Sequence, residues 1–231
     1  MRFNGRDMFR FKSLLRSLAV WLGVIAILSI SQVAVSASEK PESPVTPRNV
    51  VYEKYISEGN FFVVLIPKGW GKEEKDFPYA YTKTKVYGVE LSGPHDKDDA
   101  RPTISVLYYE YGQFLKSYEK YINLIIGTFT RLAPEKDVYL TNTAVAGREA
   151  KKFEIETYEL IPLPFDPPDF KEGIMYEIVP PFKKVTVIAR YIVIPAEKGF
   201  YVLNYRASPD IAKSIEGIFE KVLNSFEPSI K

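Results

Sequence analysis

The chain has 231 residues, with 31 Lys and Arg against 29 Asp and Glu, one histidine and no cysteine. The lack of cysteine excludes a disulfide framework, a thiolate metal site and a lipid-carrying cysteine. The formal charge of +2 misleads, because residues 1–37 hold five Lys/Arg and one Asp; the remaining 194 residues carry a formal −2, which leaves no bulk basicity for a nucleic-acid partner.

Arg10, Lys12 and Arg16 precede the apolar run Leu18–Leu28, and Val35-Ser-Ala37 meets the small-x-small cleavage rule. Residues 1–37 therefore read as a signal peptide, with Met8 an alternative start, and the protein as exported to a periplasm, the cell exterior or a thylakoid lumen. The competing reading is an uncleaved membrane anchor, since Ser29–Val35 can extend an apolar core otherwise short of the about 20 residues a bilayer requires. Residues 38–49, with Pro41, Pro44 and Pro47 among Ser, Glu and Lys, lack apolar periodicity and read as a flexible linker. Residues 50–228 read as one domain, long enough to close a single core without staples.

Within that domain Val50–Ile56 and Phe61–Ile66 flank Ser57-Glu-Gly-Asn60, whose glycine and asparagine suit positive φ, so a hairpin is expected. A charged stretch from Lys72 to Asp76 leads into Tyr79–Leu91, a strand or a strand with a glycine bulge. The polar loop Gly93–Pro102 precedes the strand Thr103–Tyr111. Phe114, Tyr118, Tyr121, Ile122 and Ile125 then form a helical stripe over Gln113–Gly127, with Gly127 or the turn beyond it as the stop. Val138–Ala146 and Ala150–Tyr158 read as strands around Gly147-Arg148.

The last third is the clearest. Val185–Ile194 and Phe200–Arg206 are rich in β-branched and aromatic residues around the loop Pro195–Gly199, and apolar side chains occupy both parities, so both faces of these strands are expected to be covered. Ser208-Pro209-Asp210 supplies an N-cap candidate, a proline preset for the first helical position and an acid near the positive helix end. Ile211, Ile215, Ile218, Val222 and Phe226 recur at helical spacing until Pro228.

The order of these elements, with Pro67-Lys-Gly-Trp70 after the first hairpin, Gly147 between two strands, and the ending Gly199-Phe-Tyr-Val-Leu-Asn-Tyr205 and Phe219-Glu-Lys-Val-Leu-Asn-Ser-Phe226, resembles the PsbP-like family over about residues 50–226. The resemblance implies an α+β fold, an α/β/α sandwich around a central antiparallel sheet. It also implies accessory or assembly roles at lumenal or envelope complexes, and it brings no shared catalytic residues. The chain departs from the family in the proline-rich segment Leu160–Phe182.

That segment holds Pro162, Pro164, Pro167, Pro168, Pro180 and Pro181 among apolar groups. It has too many prolines for a central strand and too many apolar groups for a solvated linker, so it is the candidate partner-binding site, with Phe165, Phe170, Met175 and Tyr176 as its contact residues. A lid packed on the domain's own sheet is the bland alternative. His95, Asp96, Asp98 and Asp99 share one loop, and carboxylates with an imidazole suit a divalent cation. Their spacing is not that of an EF-hand, and a solvated acidic turn neutralised by Lys97 and Arg101 is the competing reading.

Catalysis has little to build on. His95 is the sole histidine, and there is no nucleophile elbow, phosphate-cradling glycine loop or zinc-protease motif. Glu154 and Glu156 share a strand face, which is what an exposed polar face also produces. Trp70 and the tyrosines Tyr108, Tyr109, Tyr111, Tyr118 and Tyr121 read as core packing. The sequence therefore reads as a non-enzymatic exported binding module with a protein partner at a membrane-associated complex and no cofactor beyond the candidate cation. The alternative is a periplasmic carrier or sensor of a small ligand or divalent cation.

Overall fold

A computed structural model describes residues 50–75, 85–132, 136–165 and 181–229. The signal segment, the linker, and Phe170, Met175 and Tyr176 lie outside the described residues.

The first hairpin pairs β1 (Tyr52–Ile56) with β2 (Phe62–Pro67). Gly59 and Asn60 in its turn both take positive φ, at 73° and 54°, and the Ser57 hydroxyl accepts the Phe62 N–H at 3.1 Å. The hairpin does not join the main sheet. It forms a separate three-stranded sheet with the two-residue strand β10 (Glu227–Pro228), which pairs with β2.

The main sheet has seven strands in the order β3-β4-β5-β9-β8-β7-β6, all antiparallel. They are β3 (Gly71–Lys75), β4 (Val86–Ser92), β5 (Thr103–Glu110), β6 (Thr141–Val145), β7 (Arg148–Pro162), β8 (Phe182–Ala196) and β9 (Gly199–Ala207). β3 is not signalled by apolar alternation, because its side chains are charged; such a strand is stable only as a sheet edge, where it sits. In β4 the expected glycine bulge is absent. Gly88 pairs one-to-one with Leu107 at φ 133°, and a Cβ there would lie 2.1 Å from the Val106 carbonyl oxygen.

β7 and β8 run further than their β-branched cores, reaching Pro162 and starting at Phe182. The β8–β9 loop is two residues, Glu197-Lys198, with Pro195 inside the ladder opposite Phe200. The β6–β7 turn uses Ala146 and Gly147, both at positive φ, which matches a twisted two-residue hairpin.

Helix α1 (Tyr118–Leu132) starts five residues later than its stripe suggests, and Gly127 lies within it. Two local features set the start: Gly112 N–H donates to the Leu115 carbonyl, closing a turn, and the Ser117 hydroxyl accepts the Lys120 N–H. The apolar stripe continues through Phe129, so Gly127, with open space around it, does not end the helix. Helix α2 (Pro209–Asn224) begins at the proline, as expected.

The helices lie on opposite faces of the main sheet. Ile122 of α1 packs with Phe153, Ile155, Ala189, Val193, Phe200 and Val202. On the other face α2 and the small sheet bring Ile215, Ile218, Phe219, Val222, Phe62 and Phe226 against Ile192, Ile194, Tyr201, Leu203 and Tyr205. β9, central and covered on both sides, has eight of its nine residues buried. The architecture is α+β, a sheet between two covering layers. Among the described residues no helix is long and apolar enough to cross a membrane.

Candidate functional site

The β7–β8 ladder outruns the sheet. β9 pairs with β8 no further than Ile188, and β6 covers only Arg148–Lys152 of β7. From Thr157↔Val187 to Pro162↔Phe182 the two strands therefore have only each other among the described strands, and the Leu163 N–H adds a bond to the Pro181 carbonyl at 2.9 Å. Six residues at about 3.3 Å each give a two-stranded arm about 20 Å long.

Alternation divides its side chains. Tyr158, Leu160 and Pro162 lie opposite Thr186, Lys184 and Phe182 and share one face; Val185 and Val187, on the other face, are buried. On the first face the Lys184 ammonium sits 3.8 Å from the centre of the Tyr158 ring. Tyr158, Leu160, Leu163, Phe165 and Phe182 are between 38% and 51% exposed. Phe165, expected as a contact residue, thus lies exposed at the end of this arm. The arm adds Tyr158, which lies outside the proline-rich segment, and Leu160 and Phe182 at that segment's two ends; the signal for the β7 pair is the alternation Tyr158-x-Leu160-x-Pro162.

The loop Gly93–Pro102 reaches the arm near its far end, where Lys183 lies opposite Ile161. Asp96 Oδ1 accepts the backbone N–H of Asp98 at 2.8 Å and of Ala100 at 3.0 Å, and its Oδ2 accepts the hydroxyl of Ser208. Ser208 occupies the N-cap position of α2 without a side-chain cap bond. Lys97 pairs with Asp210 of α2, and Asp98 pairs with Lys183 of the arm. The hydrogen bond from Lys183 holds the Asp98 carboxyl below the ordinary aspartate range. His95 Nε2 accepts from Arg101 Nε, and burial, with the Arg101 charge, lowers its pKa.

Of the four residues expected as metal ligands, His95 bonds Arg101, Asp96 bonds the loop backbone and Ser208, Asp98 pairs with Lys183, and Asp99, at φ 60°, donates its backbone N–H to the Asp96 carbonyl at 3.2 Å. Among the described residues no group of three or more His, Cys, Asp and Glu could hold a metal ion. Ser208 bonds Asp96 and His95 bonds Arg101, so the loop does not assemble a Ser-His-Asp relay.

Glu154 and Glu156 do share a face, with separate cations. Glu154 accepts from Arg190 at 2.9 Å, Arg190 also reaches Glu216 of α2 and lies over the Tyr205 ring, and Glu156 pairs with Lys136. A cleft of about 380 Å³ between these residues and the chain after α1 is lined by Phe129, Lys136, Asp137, Tyr139, Ile155 and Glu156. Trp70 is half-buried against the core, its ring over Gly93. Tyr108 is fully buried, and Tyr109, Tyr118 and Tyr121 pack around α1.

No family model matches the sequence, and no curated protein matches it. Among solved structures the chain is similar to that of cyanobacterial PsbP (CyanoP) from Synechocystis sp. PCC 6803, at 13% identity over 83% of this chain and 98% of that one, with a TM-score of 0.42. It is also similar to LpqN, involved in cell envelope biogenesis of Mycobacterium tuberculosis, at 16% identity over 77% of this chain and 90% of that one, with a TM-score of 0.41. A PsbP structure, from the family that the closing hairpin and helix resemble, is thus among those to which this chain is similar.

Proposed function

We infer that the protein is an exported, non-catalytic binding module whose β7–β8 arm engages a protein partner, as an accessory or assembly factor of a membrane-associated envelope or lumenal complex. One observation carries the reading. Five of the ten exposed large apolar side chains among the described residues belong to this arm. Such surface is costly to leave in water and is concentrated where interfaces form. The ladder bonds and the Asp98–Lys183 pair hold it in place, so little ordering entropy is lost on contact. The signal-like residues 1–37 support export.

The test is a cross-linked capture from membrane extracts of the source cells. The wild type recovers one membrane complex, and a Leu160→Ser/Phe165→Ser/Phe182→Ser protein loses it with an unchanged urea midpoint. Equal capture by both would refute the arm as the partner site and move the weight to a small-ligand carrier.

A further inference from the structure

The two edges of the arm differ. Beside β8, the loop Gly93–Pro102 reaches Lys183 through Asp98. Beside β7, among the described residues, no strand pairs beyond Lys152. Lys136–Leu140 passes by Glu154–Glu156, where the cleft lies, so among the described residues the open length begins at Thr157.

The phase of the ladder is set by the bond from Leu163 N–H to Pro181 and by one-to-one register from Lys151 to Pro162. Odd-numbered residues of β7 therefore turn their backbone groups toward β8, and Glu156, Tyr158 and Leu160 turn theirs outward. Solvent-facing edges are ordinarily blunted by lysines, bulges or proline. Here proline appears only at the end, as Pro162, and from Phe153 to Pro162 β7 carries Glu154, Glu156 and Glu159 and no Lys or Arg. Across the ladder Glu159 faces Val185, not a cation.

We propose that Thr157–Pro162 of β7 is a strand-addition site that takes up an extended, basic segment of the protein partner. The proposal rests on the arm being the partner site and adds the mode of contact. An added strand bonds to the outward N–H and C=O groups of Tyr158 and Leu160, sets apolar side chains beside these two, and places a cation opposite Glu159 on the other face of the strand. Backbone bonds supply affinity, and the carboxylate selects the sequence.

The probe is a capped peptide alternating lysine with valine, added to the full chain while amide hydrogen exchange is followed by mass spectrometry. Exchange slows within Thr157–Pro162. A peptide alternating glutamate with valine gives no protection, nor does the lysine peptide N-methylated at alternate residues. Leu160→Pro, which removes an outward N–H and leaves the bonds to β8, weakens binding by about tenfold or more, as does Glu159→Lys. Protection confined to another segment, or binding that survives N-methylation, overturns strand addition. Partner capture intact on the Leu160→Pro protein but lost on the triple serine protein overturns strand addition alone; capture intact on both overturns the partner reading itself.

Discussion

Asp96 orders a loop and a helix start with one carboxylate. Its oxygens accept two backbone N–H groups of the loop and the hydroxyl of Ser208, 112 residues away. Asp96→Ala leaves those donors without their acceptor and is expected to cost about 2–3 kcal/mol, read as a lower urea midpoint. A loss within about 0.5 kcal/mol, the size of an ordinary surface change, would contradict that role. Tyr108 and Tyr201 make a second contrast. Tyr201 donates its hydroxyl to the Phe61 carbonyl at 3.0 Å, whereas the buried Tyr108 hydroxyl has no partner among the described residues, and burial pushes its pKa up to about 12. Tyr108→Phe is expected to raise stability by about 1 kcal/mol and Tyr201→Phe to lower it by a similar amount. The sequence places His95, Asp96, Asp98 and Asp99 in one loop. What it cannot reveal is that Ser208 and Lys183 come to meet that loop, because those contacts depend on how distant strands stack.

At the scale of elements, the arm is held near its far end by the Asp98–Lys183 pair. The folded Asp98 carboxyl titrates below the ordinary aspartate value of 3.8 because Lys183 hydrogen-bonds its charged form. A depressed folded value means the pair's contribution is present above that ordinary value and is lost as pH falls through the depressed one. The Asp98 carboxyl carbon, followed by NMR, is expected to titrate below 3.8 in the wild type and to return toward 3.8 in Lys183→Ala. A midpoint unmoved by Lys183→Ala would show that the pair does not tie the arm down.

The strands of the last third are legible because β-branched and aromatic residues fill both parities, which only a sheet covered on both faces satisfies. Helix α1 is legible in its stripe but misplaced, since Gly127 reads as a stop and Ser117 hides among other polar residues. β3 is illegible, because its stability comes from pairing with β4 and not from burial of its own side chains.

On the scale of the whole molecule, core positions and the exposed face of the arm are expected to differ in their weight for stability. Phe219 is 1% exposed and packs on Tyr205 with ring centres 5.1 Å apart. Phe219→Ala is expected to cost about 3–5 kcal/mol, whereas Phe182→Ser on the arm should stay within about 0.5 kcal/mol, both read as urea midpoints. A sheet covered on both faces follows from alternation, whereas the α/β/α arrangement around an antiparallel sheet is what the family resemblance implies. The second small sheet follows from neither, because the first hairpin carries the same signals whichever sheet it joins. The arm is half-legible: prolines and aromatics mark the segment, but its strands run into it further than the proline content allows.

The most direct measurement is photo-cross-linking in the source cells with a reactive amino acid placed at Phe182, on the exposed face of the arm, or at Lys213, exposed on α2. The account predicts a specific protein adduct from Phe182 and none from Lys213. Equal labelling from both positions, or no adduct from Phe182, would contradict it.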